Sequence, residues 1–266
     1  MSDCETVSAA IRAALLTAEP RAKAFAARDV ARRWRLGKLA FDFGTAMPER
    51  PAWPVAPELL PPRMMPKRGR GGTEAGRIAL WHALAHIEFV AIDLALDMAG
   101  RFGAEMGEEF VGDFLSVAAD EAMHFALLAR KLASLGSHYG ALPAHAGLWR
   151  SAEATAHDVA ARLAIVPMVL EARGLDVTPA TLERVRRQGD EQGARILQRI
   201  LDDEICHVAV GTKHFDRWCQ RHEIAPQNHW QRLVGTYFSG VLRGPFNDSA
   251  RRRAGLPRSF YAGIAS

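Results

Sequence analysis

Cysteine, tyrosine, lysine and long apolar runs are all scarce in this chain, and each scarcity removes a class of protein. The three cysteines, Cys4, Cys206 and Cys219, are too few and too irregularly spaced for a disulfide framework or a zinc site. A reducing, cytoplasmic compartment is the expectation that follows. No stretch reaches about 18 uninterrupted apolar residues, so no membrane-spanning helix is expected. Asp3 and Glu5, with no apolar run behind them, argue against a secretory leader. The three tyrosines, Tyr139, Tyr237 and Tyr261, fall outside the long helices described below, which speaks against a stable tyrosyl-radical generator. Only five of the 34 basic residues are lysine, the net charge is +4 and the pI is about 9.2. Arginine suits phosphate, and genome composition explains the same bias. Two basic stretches, Arg63 to Arg77 and Arg251 to Arg258, keep RNA open as a partner.

Strand-like alternation is also missing, so the class is all-α. Residues 1–43 read as an alanine-rich helical extension in which Pro20 starts a second helix. Residues 44–72 contain seven prolines and are expected to run extended over the surface. Residues 73–221 hold four long helices. The first is capped by Thr73 and runs to about Arg101, and the second spans about Glu108 to Leu135, before Gly136. The third is expected from Ser151 to about Arg173, kinked at Pro167 and ended near Gly174. A short helix then starts at Thr178 and Pro179. The fourth long helix covers about Asp190 to Arg221. Residues 222–266 should hold one more helix, 226–242, and an irregular tail containing "GPFN" and "RRRAGL".

Two segments carry the chemistry, "DEAMH" (Asp120 to His124) and "DEICH" (Asp203 to His207). In each, a Glu precedes a His by three, so both side chains share one helix face one turn apart. Carboxylate and imidazole together suit iron or manganese. One E-x-x-H means little; the repeat of D-E-x-x-H on two helices means more. Glu88 precedes Glu121 by 33 residues, and Glu171 precedes Glu204 by 33. The chain therefore reads as two halves offset by 83, each a lone Glu followed by an E-x-x-H. Two equal antiparallel hairpins facing each other would gather four carboxylates and two imidazoles around one point, and the 50 residues from Glu121 to Glu171 allow a long crossover. Glu88 and Glu171 sit in mostly apolar stretches, where an ionised carboxylate must be paired or ligated. Two divalent ions would neutralise four such charges. The competing reading is ordinary ion pairing, for instance Glu171 with Arg173 or Arg162.

Neighbouring residues read as structural. His86, two positions before Glu88, should face away from the metals. His157 lies too far along the helix axis from Glu171 to be a ligand, and His214 reads as core packing. His138, Tyr139 and His145 lie in a loop able to cover one end of the bundle. Cys206 is expected to be a small buried hydrophobe.

With all six positions matched, residues 73 to 221 resemble the ferritin-like superfamily of di-iron and iron–manganese carboxylate proteins. That resemblance implies a ferritin-like four-helix bundle holding two Fe ions, or Fe and Mn. Glu121 and Glu204 would bridge them, Glu88 and His124 would complete one metal, and Glu171 and His207 the other. It further implies that Asp120 and Asp203 each accept the ring N–H of the other helix's histidine. The whole chain is similar to a bacterial ferritin-like family, domain of unknown function 455, through "AHIEFVAIDLALD", "LGSHYGALPAHAGLW", "AHDVAARLAIVPMVLEARGLDVTP" and the "GPFN" tail. The implied activity is O2-dependent oxidation or hydroxylation of a small organic substrate, with a reductase partner. Two alternatives stand beside it: a tRNA-modifying hydroxylase-like enzyme, to which "LEARGLD" bears a faint likeness, and a non-catalytic metal-binding or structural protein whose extensions serve a partner or a homodimer.

Overall fold

A computed structural model describes residues 5–66 and 72–265. Asp3, Cys4 and the central basic residues of the first arginine stretch, Lys67, Arg68 and Arg70, lie outside the described residues. The described chain is helical, with only two isolated β-bridges, Thr6 to Ala40 and Leu59 to Ala144. It forms two compact units, Met1–Trp149 and Arg150–Ser266.

The first unit contains α1 (Val7–Leu15), α2 (Pro20–Arg35), α3 (Glu74–Met106) and α4 (Glu108–Ser134). Thr73 caps α3 by accepting a hydrogen bond from the Gly76 amide, as expected, and Pro20 opens α2. Gly107 alone joins α3 to α4, at φ +94°, a backbone region open to glycine. Two long helices that pack together and share a one-residue joint must run antiparallel. Their shared core is apolar, with Phe89, Val111, Phe110, Phe114 and Leu128 buried. Burying each such side chain contributes roughly 1.5–3 kcal/mol. α3 has the length and composition of a membrane span, but 67% of its most apolar window is buried inside the protein.

The N-terminal helices pack directly on this hairpin, α2 on α4 and α1 on α3. A buried polar pin holds them. Lys23 of α2 donates to Asp93 of α3 at 2.5 Å and to the Ala52 carbonyl at 2.9 Å, and it lies over the Phe89 ring. Trp53 donates from its indole N–H to the other Asp93 oxygen at 2.8 Å. One turn on, Arg101 binds Asp97 and the Pro48 carbonyl. Residues 44–66 are mostly irregular, as their prolines require, apart from one 3-10 turn at Pro62–Met64. Pro51 and Pro57 are buried, so the segment is packed rather than merely laid over the surface.

The second unit departs from the expected single third helix. α5 (Gly147–Ala154) begins before Ser151, and α6 (Val159–Ile165) starts anew with Asp158 as its cap. Buried Arg162 holds the break by donating to the Ala152 carbonyl and the Thr155 hydroxyl. Pro167 does not simply kink the helix. It lacks an N–H, and the segment Val166–Glu171 widens into a π-helix in which the Ala172 amide reaches back five residues to the Pro167 carbonyl. Gly211, in the later helix Glu191–Arg221, accommodates the proline ring: a Cβ there would collide with Pro167 Cβ and Cγ.

α7 (Ala172–Arg187) then runs straight through Gly174 and Pro179, where a stop and a new start were expected. Pro179 leaves the Leu175 carbonyl without its helical partner, and the Asn247 side-chain amide supplies one at 3.2 Å. α8 (Glu191–Arg221) is capped by Asp190, and α9 (Pro226–Tyr237) follows. The tail is not wholly irregular. Asn247 caps α10 (Asp248–Arg253), whose Arg251 is buried in a two-point ion pair with Asp176, between the Phe246 and Tyr261 rings.

Candidate metal centre

In the first unit, Glu88 projects from α3 while Glu121 and His124 project from α4. All three are buried. Because the hairpin is antiparallel, His124 Nδ1 lies 3.3 Å from a Glu88 oxygen and 3.3 Å from a Glu121 oxygen. One donor atom from each residue falls within 4.8 Å of the others. Donors about 2.1 Å from one ion stand at most roughly 4 Å apart, so the three need only small adjustments to share a cation.

The electrostatics agree. Burial, and then the neighbouring Glu121 carboxylate, hold the Glu88 carboxyl well above the usual carboxylate range, against the opposing His124 hydrogen bond. Two carboxylates in a dry site repel, and a divalent cation between them reverses that cost. The donor set therefore fits a metal ion.

In the second unit, Glu204 and His207 stand one turn apart on α8, both buried, with His207 Nδ1 3.6 Å from Glu204 Oε1. Glu171 is the last residue of the π segment and is half-buried. Arg173, one of the two cations considered for it, donates to the Arg243 carbonyl and lies 3.7 Å from Asp176. Arg162, the other, binds Ala152 and Thr155. Asp120 is half-buried on α4, and Asp203 accepts a 2.5 Å hydrogen bond from Arg199.

His86 faces away from the cluster, as expected, and it has a definite task. Its Nε2 bonds the His145 carbonyl at 3.1 Å, so that nitrogen carries the hydrogen and Nδ1 accepts from the Tyr139 hydroxyl at 2.9 Å. His82 Nε2 accepts the Gly140 amide at 3.0 Å. Burial lowers the pKa of both histidines, that of His86 to about 4. The loop carrying Tyr139 is thus pinned to α3 by two neutral imidazoles. Tyr139 also packs against Phe89 and Phe125, each next in sequence to a cluster residue. His214 is buried, and His157 is exposed and bonded to Tyr237. Cys206 is a correction: it is exposed, because Glu204, Ile205 and His207 occupy the buried arc of that turn and leave position 206 outward. Cys219 is the buried thiol, pushed up to about 11 by desolvation.

Sequence reasoning missed the Lys23–Asp93–Trp53 pin. The signal was available, since Asp93 and Asp97 lie in the same apolar run that made Glu88 conspicuous.

The family described as "Protein of unknown function (DUF455)" matches residues 16–262. A protein of Haemophilus influenzae described as uncharacterized is 40% identical over 258 residues, covering 92% of this chain and 89% of its own length. No solved structure matches.

Proposed function

The chain belongs to that family of unknown function, and from this premise we propose that it is a dinuclear metal carboxylate protein of ferritin-like type. Its activity would be O2-dependent oxidation or hydroxylation of an organic substrate. The observation that carries the reading is the buried trio Glu88, Glu121 and His124. The equal 33-residue spacing and the Glu204–His207 pair on α8 extend it to a second trio, Glu171, Glu204 and His207.

In this reading Glu121 and Glu204 would be shared by two ions, Glu88 and His124 would help hold one of them, and Glu171 and His207 the other. His124 offers Nδ1, the atom facing the two carboxylates, and Nε2 is the atom that an Asp203 carboxylate would orient. Two ions of iron, or iron and manganese, would supply the reduction of dioxygen and the oxidation of substrate, with electrons from a reductase partner. The chain's own contribution is to hold the donors on rigid helices and to pack Phe89, Phe125 and Tyr139 around them against water.

Elemental analysis of freshly purified protein tests this. About two ions per chain are expected, with loss in Glu121→Ala. Aerobic oxidation of the Fe(II)-loaded protein should add a near-ultraviolet band that Glu121→Ala lacks. Protein that takes up less than about one ion per chain, or a Glu121→Ala variant with unchanged metal content, refutes the reading. Metal binding without turnover of any substrate, reductant supplied, favours the non-catalytic alternative.

A further inference from the structure

A second site lies in the first unit, on the outer side of the α2–α4 contact. A groove of about 820 Å³ runs there, walled by Phe25, Arg28, Arg32, Trp34 and Arg35 of α2 and floored by small residues of α4, Gly112, Ser116 and Ala119. Phe25, Arg28, Arg32 and Arg35 recur at helical spacing, so they form one stripe along α2. The three arginines are exposed, and none of their side chains has a hydrogen-bond or ion-pair partner among the described residues. The neighbouring Arg33, off this stripe, pairs with Glu5 and lies 3.7 Å from Asp29. Phe25 is 58% exposed, an unusual position for a phenyl ring beside a groove with no apolar cover. Gly112 keeps the floor open: a Cβ there would stand 3.2 Å from Trp34 Nε1. Two carboxylates also line the groove, Asp29 and Asp120. Beyond Trp34 and Arg35 the adjoining hollow meets Glu108 and Glu109, so the positive stretch ends there.

We propose that this groove binds nucleotide-type ligands, with Arg28, Arg32 and Arg35 on phosphate and the Phe25 ring stacked on a base. Three arginines spaced along one helix suit a ligand with several anionic groups in a row, and guanidinium pairs with phosphate through two parallel donors. An exposed aromatic beside them adds a stacking face, the combination used for single-stranded nucleic acid. Arg21 already lies over the Phe25 ring, 5.6 Å from its centroid, and a purely acidic peptide would add no stacking contact to it. Glu88, Glu121 and His124 are not among the residues lining the groove, although Asp120 and Met123 of the same helix are, and the proposal does not rest on the metal reading.

The test uses the full-length protein with two probes, a fluorescein-labelled U12 RNA and ATP, read by anisotropy and by competition. Binding at 50 mM salt is expected to weaken as salt rises, and Arg28→Glu with Arg32→Glu should abolish it. Phe25→Ala should weaken it roughly fivefold to a hundredfold, the range for one lost stacking contact. The exposed control Arg253→Glu should leave binding unchanged, and metal content should be the same in all variants. Competition by ATP at concentrations matching its own binding assigns a free nucleotide; competition by RNA alone assigns a strand. No binding of either probe, binding indifferent to the double charge reversal, or an Asp/Glu decapeptide that competes as well as RNA and ignores Phe25→Ala overturns the proposal.

Discussion

A carboxylate set into an apolar length of helix needs a cation, and α3 carries three such groups within ten residues. Asp97 has Arg101 one turn away, and Asp93 has Lys23 from another helix. Glu88 has the cluster, where a second carboxylate makes matters worse until an ion arrives. Glu88→Gln should therefore raise the melting temperature of metal-free protein while lowering metal content, a trade between stability and site that thermal melts with and without chelator will show. The Lys23–Asp93 pair behaves in the opposite sense. Lys23→Met strands Asp93, whose carboxyl burial already pushes up to about 6, and should cost about 3–5 kcal/mol in urea denaturation. An acid with a raised folded pKa is tolerated when protonated, so the deficit should be small at pH 5 and grow as pH rises above 6. His86 has the reverse dependence. Its folded pKa is lowered to about 4 from the ordinary 6.5, so the stability it contributes is complete above 6.5 and lost as pH falls toward 4. Hydrogen exchange should show residues 135–146 opening first on acidification.

At the scale of elements, the second unit shows what local signals could not settle. Asp190, Thr73 and Pro20 announced helix starts correctly, because a cap or a first-turn proline acts within its own turn. Gly174 announced an end, and Thr178 with Pro179 a new start, that do not occur. The compensating group, Asn247, lies 72 residues away from Leu175, and no local pattern reveals it. Asn247→Ser keeps an oxygen for the α10 cap and removes the amide, so it should cost about 1–3 kcal/mol. That cost should shrink in a Pro179→Ala background, where the chain's own N–H returns, and a double-mutant cycle measures the difference. Pro167 and Gly211 form a similar long-range pair. Gly211→Ala should destabilise by about 1–3 kcal/mol through overpacking and displace the turn that carries Glu171. The trio in the first unit was legible in the sequence because Glu121 and His124 follow helix periodicity and Glu88 stands out as a carboxylate in an apolar run. For the pin only Asp93 was conspicuous; its partner Lys23 was not, because the two meet across 70 residues.

For the whole molecule, the pseudo-repeat makes a symmetric demand. If the two halves serve one pair of ions, Glu88→Ala with His124→Ala and Glu171→Ala with His207→Ala should each lower the metal content to about one ion per chain or fewer, to a similar extent. Unequal losses would mean that the halves differ in task despite their equal spacing. The tail belongs to this scale as well: Arg251 is committed to Asp176, which removes it from the basic surface that the sequence displays. The single-glycine joint at Gly107 sets a further rule on how such chains can vary. Each residue added or removed between the joint and a ligand turns that ligand by about 100° around its helix axis. A single insertion between Glu88 and His124 would therefore swing one member of the trio away from the others, which makes that interval a fixed ruler within the hairpin.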